Sequence, residues 1–103
     1  MDAVAREHAL ETLAALGGCP ATSYHEKRVT DLILARLRGL GISPRQDIYG
    51  NILAPYAPDP SLPPVAYVAH MDHPGFAVLQ ADGPRLVARA LGGVPPASFQ
   101  KDV

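Results

Sequence analysis

The residues best equipped for chemistry lie in one short run, Ala69-His70-Met71-Asp72-His73-Pro74-Gly75-Phe76. His70 and Asp72 are two positions apart, so on extended backbone their side chains point the same way. An imidazole placed like this can give one nitrogen to a metal while the carboxylate holds its other N–H. That pairing fixes both the tautomer and the ring direction. Pro74 keeps His73 out of helical geometry, and Gly75 permits close approach of another backbone. A His-x-Asp triplet also arises by chance as ordinary surface chemistry. Alone, that bland reading is ahead; the context brings the two level, because an apolar run leads straight into the triplet and Pro-Gly closes the turn.

That apolar run, Val65-Ala66-Tyr67-Val68-Ala69, must do the positioning. It is apolar on both faces, which predicts a central strand covered by helices on each side. Metals and ligands in open α/β sheets collect at the C-terminal ends of such strands. Upstream, Ala9, Leu10, Leu13 and Leu16 recur at helical spacing and predict a helix over 3–16, capped by Asp2 and stopped by Gly17-Gly18 and Pro20. Ser23-Tyr24-His25-Glu26 reads as a capping box, with Ser23 capping a second helix and Glu26 bonding back to the Ser23 amide. The stripe of this helix is Val29, Leu32, Ile33, Leu37 and Leu40, and Gly39 and Gly41 mark its exit.

After residue 43 the period changes. Asp47-Ile48-Tyr49-Gly50-Asn51 is turn chemistry between extended pieces at 44–48 and 51–56. Residues 58–64, with four prolines, form a stiff loop. Residues 76–80 and 85–90, joined through Asp82-Gly83-Pro84, predict a hairpin whose second strand is half exposed. Two helices followed by four or five strands predict part of an α/β layered domain with a mixed sheet.

The bulk properties narrow the function. The 103 residues suit one small domain, and 48% apolar content allows a core. Nine basic against ten acidic side chains give a net charge of −1, without the footprint of a nucleic-acid binder or a polybasic membrane protein. The one cysteine, Cys19, builds neither a disulfide framework nor a CxxC metal site. The first residues carry scattered charge instead of a secretory leader, and the longest apolar run is too short to span a bilayer. A cytoplasmic protein is expected. The 11 prolines and 9 glycines predict many turns.

Four motifs in chain order resemble the co-catalytic dizinc aminopeptidases of the tetrahedral, deblocking and glutamyl aminopeptidase type, some relatives of which are described as endoglucanases. The run from Val65 through Val78 looks like their first metal-site motif. Ser23-Tyr24-His25-Glu26 is similar to their Ser-Gly-x-Glu helix start, and Asp47-Ile48-Tyr49-Gly50-Asn51 to their Asp-x-x-Gly-Asn turn. Gly92-Gly93 matches the pair at the edge of their catalytic domain. The resemblance implies an α/β/α layered catalytic domain, a peptide substrate and a homo-oligomer. It also implies two zinc ions, or cobalt, with His70 ligating one of them and Asp72 clamping the His70 imidazole. Two positions depart from the pattern: His73 stands where relatives carry Glu, and Tyr24 replaces Gly.

The family site further needs a bridging Asp, a Glu-Glu pair, another acidic ligand and a distal His downstream of its first motif. Here the only glutamates are Glu7, Glu11 and Glu26, and no histidine follows His73. The resemblance therefore implies that residues 1–93 are the N-terminal part of the catalytic domain and 94–103 the start of a crossing to an inserted domain. Alone, such a chain is expected to bind metal weakly and to lack peptidase activity. A reading of a different class is a non-catalytic module that self-associates or binds a partner through an unpaired sheet edge. Among other residues, His25 faces the metal cleft or is a solvated histidine of the first helical turn, and the solvated histidine is favoured. Asn51 turns toward the site or completes an Asx turn, and the turn is favoured. Cys19 reads as a loop or core thiol, and Arg36, Arg38 and Arg45 as solvated side chains.

Overall fold

The first helix forms where its cap says it should. In the computed structural model, which describes residues 2–98, α1 spans Ala3–Gly17. The Asp2 carboxylate accepts from the Ala5 amide at 2.7 Å, satisfying one of the N–H groups that a helix start leaves open. The leucine stripe does not find a partner surface, and Leu10 and Leu13 remain exposed. The link to the second helix is polar: the Arg36 guanidinium donates to Thr12 Oγ1 at 3.0 Å.

The second helix, α2, spans Lys27–Gly39. It ends in a Schellman arrangement, with the Gly41 amide on the Arg38 carbonyl and the Ile42 amide on the Leu37 carbonyl. Gly41 has φ +75, a conformation that costs an L side chain about 1–2 kcal/mol. The expected capping box is not made. Glu26 is the residue that precedes the helix, and no side chain caps it. Glu26 Oε1 instead accepts from the Tyr24 amide at 2.8 Å, closing the loop one residue later than the box requires. Val29 is the buried member of the stripe, Leu32, Ile33 and Leu37 are half-buried, and Leu40 is exposed.

Four strands follow, in two separate antiparallel ladders where the spacing predicts one mixed sheet. Strands β1 (Arg45–Gln46) and β2 (Ile52–Leu53) pair across the Asp47 turn. Strands β3 (Gly75–Asp82) and β4 (Arg85–Leu91) form the hairpin, with a bulge between Val78 and Gln80. Gly83 takes φ +53 at the hairpin end. β4 is exposed on both faces up to Leu91, against the half exposure that its alternation predicts. The architecture is mixed α and β, and a short 3-10 turn at Pro96–Ser98 closes the described part. Residues 99–103, the end of the expected crossing, lie outside it.

Residues 65–69 are the main correction. They form no strand, and Val65, Tyr67 and Val68 are 74%, 95% and 93% exposed. A strand exists only through the ladder it joins, and among the described residues none pairs with this run. The core is correspondingly thin: among the described residues, Ala21 and Val29 are its buried hydrophobic side chains. A folded monomer of this mass exposes about 5,600 Å² with a radius of gyration of about 13 Å. This chain exposes 8889 Å² with a radius of gyration of 18.1 Å. No helix among the described residues is long and apolar enough to cross a membrane.

Candidate functional site

A long-range tie brings the loop before α2 against the segment before β3. The His73 amide donates to the Ala21 carbonyl at 2.9 Å, and Thr22 and His73 form an isolated parallel bridge. Small residues make this approach possible. A Cβ on Gly75 would collide with Thr22 Cγ2, and one on Gly92 would stand 3.0 Å from Pro74 Cα and 3.4 Å from Ser23 Oγ. Gly92 also has φ +86. Ala21, fully enclosed, sits at the centre.

This node carries the chemistry. His70 Nδ1 lies 2.7 Å from the Asp72 main-chain oxygen and 3.2 Å from Asp72 Oδ1. Both neighbours are acceptors, which assigns the ring proton to Nδ1 and leaves Nε2 as the lone-pair nitrogen. The imidazole is 83% exposed, so that nitrogen is open to a ligand. His70 and Asp72 are thus in contact, with the Asp72 main-chain oxygen nearer the ring nitrogen than the carboxylate is, and the expected strand does not form.

Asp72 has a second partner that the spacing did not reveal. Ser23 Oγ donates to Asp72 Oδ2 at 2.5 Å, across 49 residues of sequence. The Ser23 hydroxyl foremost, and the His70 contact after it, hold the Asp72 carboxyl below the usual carboxylate range, against partial desolvation. Ser23 hydrogen-bonds the carboxylate and not the imidazole, so the three residues are not ordered as a serine-hydrolase triad. Sequence reasoning assigned Ser23 to a helix cap. The only signal that could have freed it is the true helix start at Lys27, which that reasoning placed too early.

The remaining candidates separate from this cluster. His73 Nδ1 lies 3.1 Å from the Pro74 carbonyl, and the side chain is exposed. The His25 side chain is exposed and its amide closes the loop on Thr22 at 2.8 Å. Asn51 completes the turn: its amide and side-chain nitrogen both donate to the Asp47 carboxylate, at 2.9 and 2.8 Å. Cys19 is a free, half-buried thiol. Tyr24 holds φ +70, a left-handed conformation that glycine adopts without strain.

A zinc centre needs at least three protein ligands. Among the described residues no three His, Cys, Asp or Glu side chains converge on one point. The donor chemistry fits a single imidazole ligand with its carboxylate clamp and does not furnish a complete centre. Compared with family models, with curated proteins and with solved structures, the chain matches none. Fold and site together define a mixed α and β chain that carries an oriented histidine–carboxylate–hydroxyl cluster.

Proposed function

We propose that this chain is the N-terminal part of the catalytic domain of a metal-dependent aminopeptidase, a cytoplasmic hydrolase of peptide N-termini that works as a homo-oligomer. The observation that carries the reading is the His70–Asp72 clamp, with Nδ1 held and Nε2 open. Two further features support it. Tyr24, at the position where the resembled family has Gly, takes a glycine-like φ of +70. The exposed run at 65–69 has the composition of a strand of an α/β/α layered domain and leaves its edges open for further polypeptide. The lone thiol Cys19 agrees with the cytoplasmic setting. Neither nucleic acid nor a membrane enters this reading as a partner.

Zinc or cobalt would supply a water of lowered pKa and a Lewis acid for the scissile carbonyl. The chain's own share is to hold and aim one ligand: Asp72 keeps the proton on His70 Nδ1 and directs Nε2 outward. No hydrolytic step follows from these residues alone, since they include neither a general base nor a second ligand set. The purified chain is therefore expected to release no N-terminal residue from peptide substrates with zinc or cobalt present. Turnover by the chain alone would overturn the division of labour proposed here. The reading as a whole is tested in the coding sequence beyond Val103. In-frame codons for Asp, Glu-Glu, a further acidic residue and His are expected, and a stop codon directly after Val103 sinks it. In that case the open run at 65–69 favours the second reading, a non-catalytic module that associates with its own copies or with a partner.

A further inference from the structure

We propose that Ser23 is a positioning residue for His70, acting through Asp72; this rests on the reading of His70 as a metal ligand and extends it to a residue that reading does not use. The Asp72 carboxylate takes the Ser23 hydroxyl on Oδ2 at 2.5 Å, and its Oδ1 stands 3.2 Å from His70 Nδ1, whose shorter contact is the Asp72 main-chain oxygen at 2.7 Å. The hydroxyl contact is the shorter, at the length of a charge-assisted O–H···O⁻ bond. It fixes the rotation of the carboxylate plane, so the weaker His70 contact inherits its direction from Ser23.

Ser23 is itself well placed for this. Its loop is pinned on both sides by the Ala21–His73 bond and the turn from the His25 amide to the Thr22 carbonyl. Gly92 leaves room beside the Ser23 hydroxyl, since a Cβ there would stand 3.4 Å from Ser23 Oγ. The competing duty is not performed, since no side chain caps α2 and the helix starts four residues on, at Lys27. Asp72, with its side chain 37% exposed, would otherwise be free to swing into solvent and leave the imidazole to its main-chain contact.

Removing an outer partner of a metal-bound histidine lowers metal affinity by about 10–100-fold, and one bond further out about 3–10-fold is expected. The test uses the full chain at a pH where the His70 ring is neutral, with two readouts from nitrogen-15 spectra of that ring. One is the fraction of Nδ1–H tautomer without metal, and the other is the affinity for added zinc. Ser23→Ala and Ser23→Cys, the second filling the volume with a poor donor, should both lower the Nδ1–H fraction and weaken zinc binding about 3–10-fold. The His73 amide, bonded to Ala21, reports whether the node stays folded. If Ser23→Ala loosens it, Ser23→Cys carries the test. The proposal is overturned if both variants keep the wild-type tautomer and affinity. A change in Ser23→Ala alone, with the node intact, would assign Ser23 a space-filling role and overturn it equally. His70→Ala, followed by calorimetric titration with zinc, separates the two ideas: it should abolish zinc binding by the chain. If it does not, the metal-ligand reading fails, and the tautomer readout still decides the role of Ser23.

Discussion

Two stretches of this chain invert the usual relation between apolarity and burial. Residues 65–69 are its longest apolar run and stand in solvent, with Tyr67 95% exposed. The node joining 21–23, 72–75 and Gly92 is built from small or polar residues, and it encloses Ala21 to 1% exposure. The difference lies in backbone partners. At the node an amide–carbonyl bond, a parallel bridge and a side-chain bond to Asp72 bring the chain together, and glycines let it approach. The arm before it has only a local turn, in which the Asp59 carboxylate takes the Ser61 amide and hydroxyl. Apolar area stabilises a strand only after its backbone groups are paired.

The sharpest way to break the comparison is at Gly75. An alanine there would drive its Cβ into Thr22 Cγ2, and overpacking of this kind costs about 1–3 kcal/mol. Amide exchange at His73, whose N–H is bonded to Ala21, is the readout. It should accelerate by about 10–100-fold, as local opening becomes easier. Thr22→Ser removes the obstructing methyl, and in that background Gly75→Ala should be nearly silent. If the double variant is as loose as the single one, the close approach is not what holds the node. The matching change on the arm, Val68→Asp, should leave His73 exchange within about 0.5 kcal/mol of the parent, because Val68 is 93% exposed.

Tyr24 offers a smaller effect of opposite sign. Its φ of +70 costs about 1–2 kcal/mol for a side chain with a Cβ. Glycine relieves that cost but loses about 0.5–1 kcal/mol through the freedom of the unfolded chain. The ring is 89% exposed, so little packing is lost. Tyr24→Gly should therefore tighten the loop by about 0.5 kcal/mol, slowing exchange of the His25 amide by about twofold. Faster exchange would mean that the tyrosine ring contributes contacts its exposure does not suggest.

These effects also mark what the amino-acid sequence could and could not reveal. Asp2, Gly41, Asp47 and Gly83 act within a few residues of themselves, and α1, the exit of α2, the Asp47 turn and the β3–β4 hairpin form close to where they are expected, though the strands beside Asp47 are only two residues long. The His70–Asp72 contact was legible for the same reason, since the two residues are only two positions apart. Ser23 was not, because Ser-x-x-Glu satisfies a local rule while its hydroxyl finds a partner 49 residues away. The strand at 65–69 failed for a related reason. Its composition reports what it could pack against, and pairing depends on a neighbour that composition does not name. The two-sided exposure of β4 follows as well, because alternation selects a face and cannot create the layer that covers it.

The Asp47 turn tests whether the node and the rest of the chain are independent. Asp47 accepts from the Asn51 side chain and from the Tyr49 and Asn51 amides, and foremost the Asn51 side chain holds its carboxyl below the usual aspartate range. A carboxyl depressed in the folded state binds its proton less readily there than in the unfolded chain. Its contribution is thus complete above the ordinary aspartate range and is lost as pH falls through the lower, folded value. Asn51→Ala removes the largest cause, so the titration should move upward and the turn should open at a higher pH than in the parent. Carbon-13 spectra of the Asp47 carboxyl measure the shift directly. Gly75→Ala, which loosens the node, should leave that titration where it was, because β1 and β2 are bound together by their own turn. If loosening the node moves Asp47, the two regions share stability through contacts beyond those that separate them here, and the contrast between a local turn and a long-range tie no longer holds.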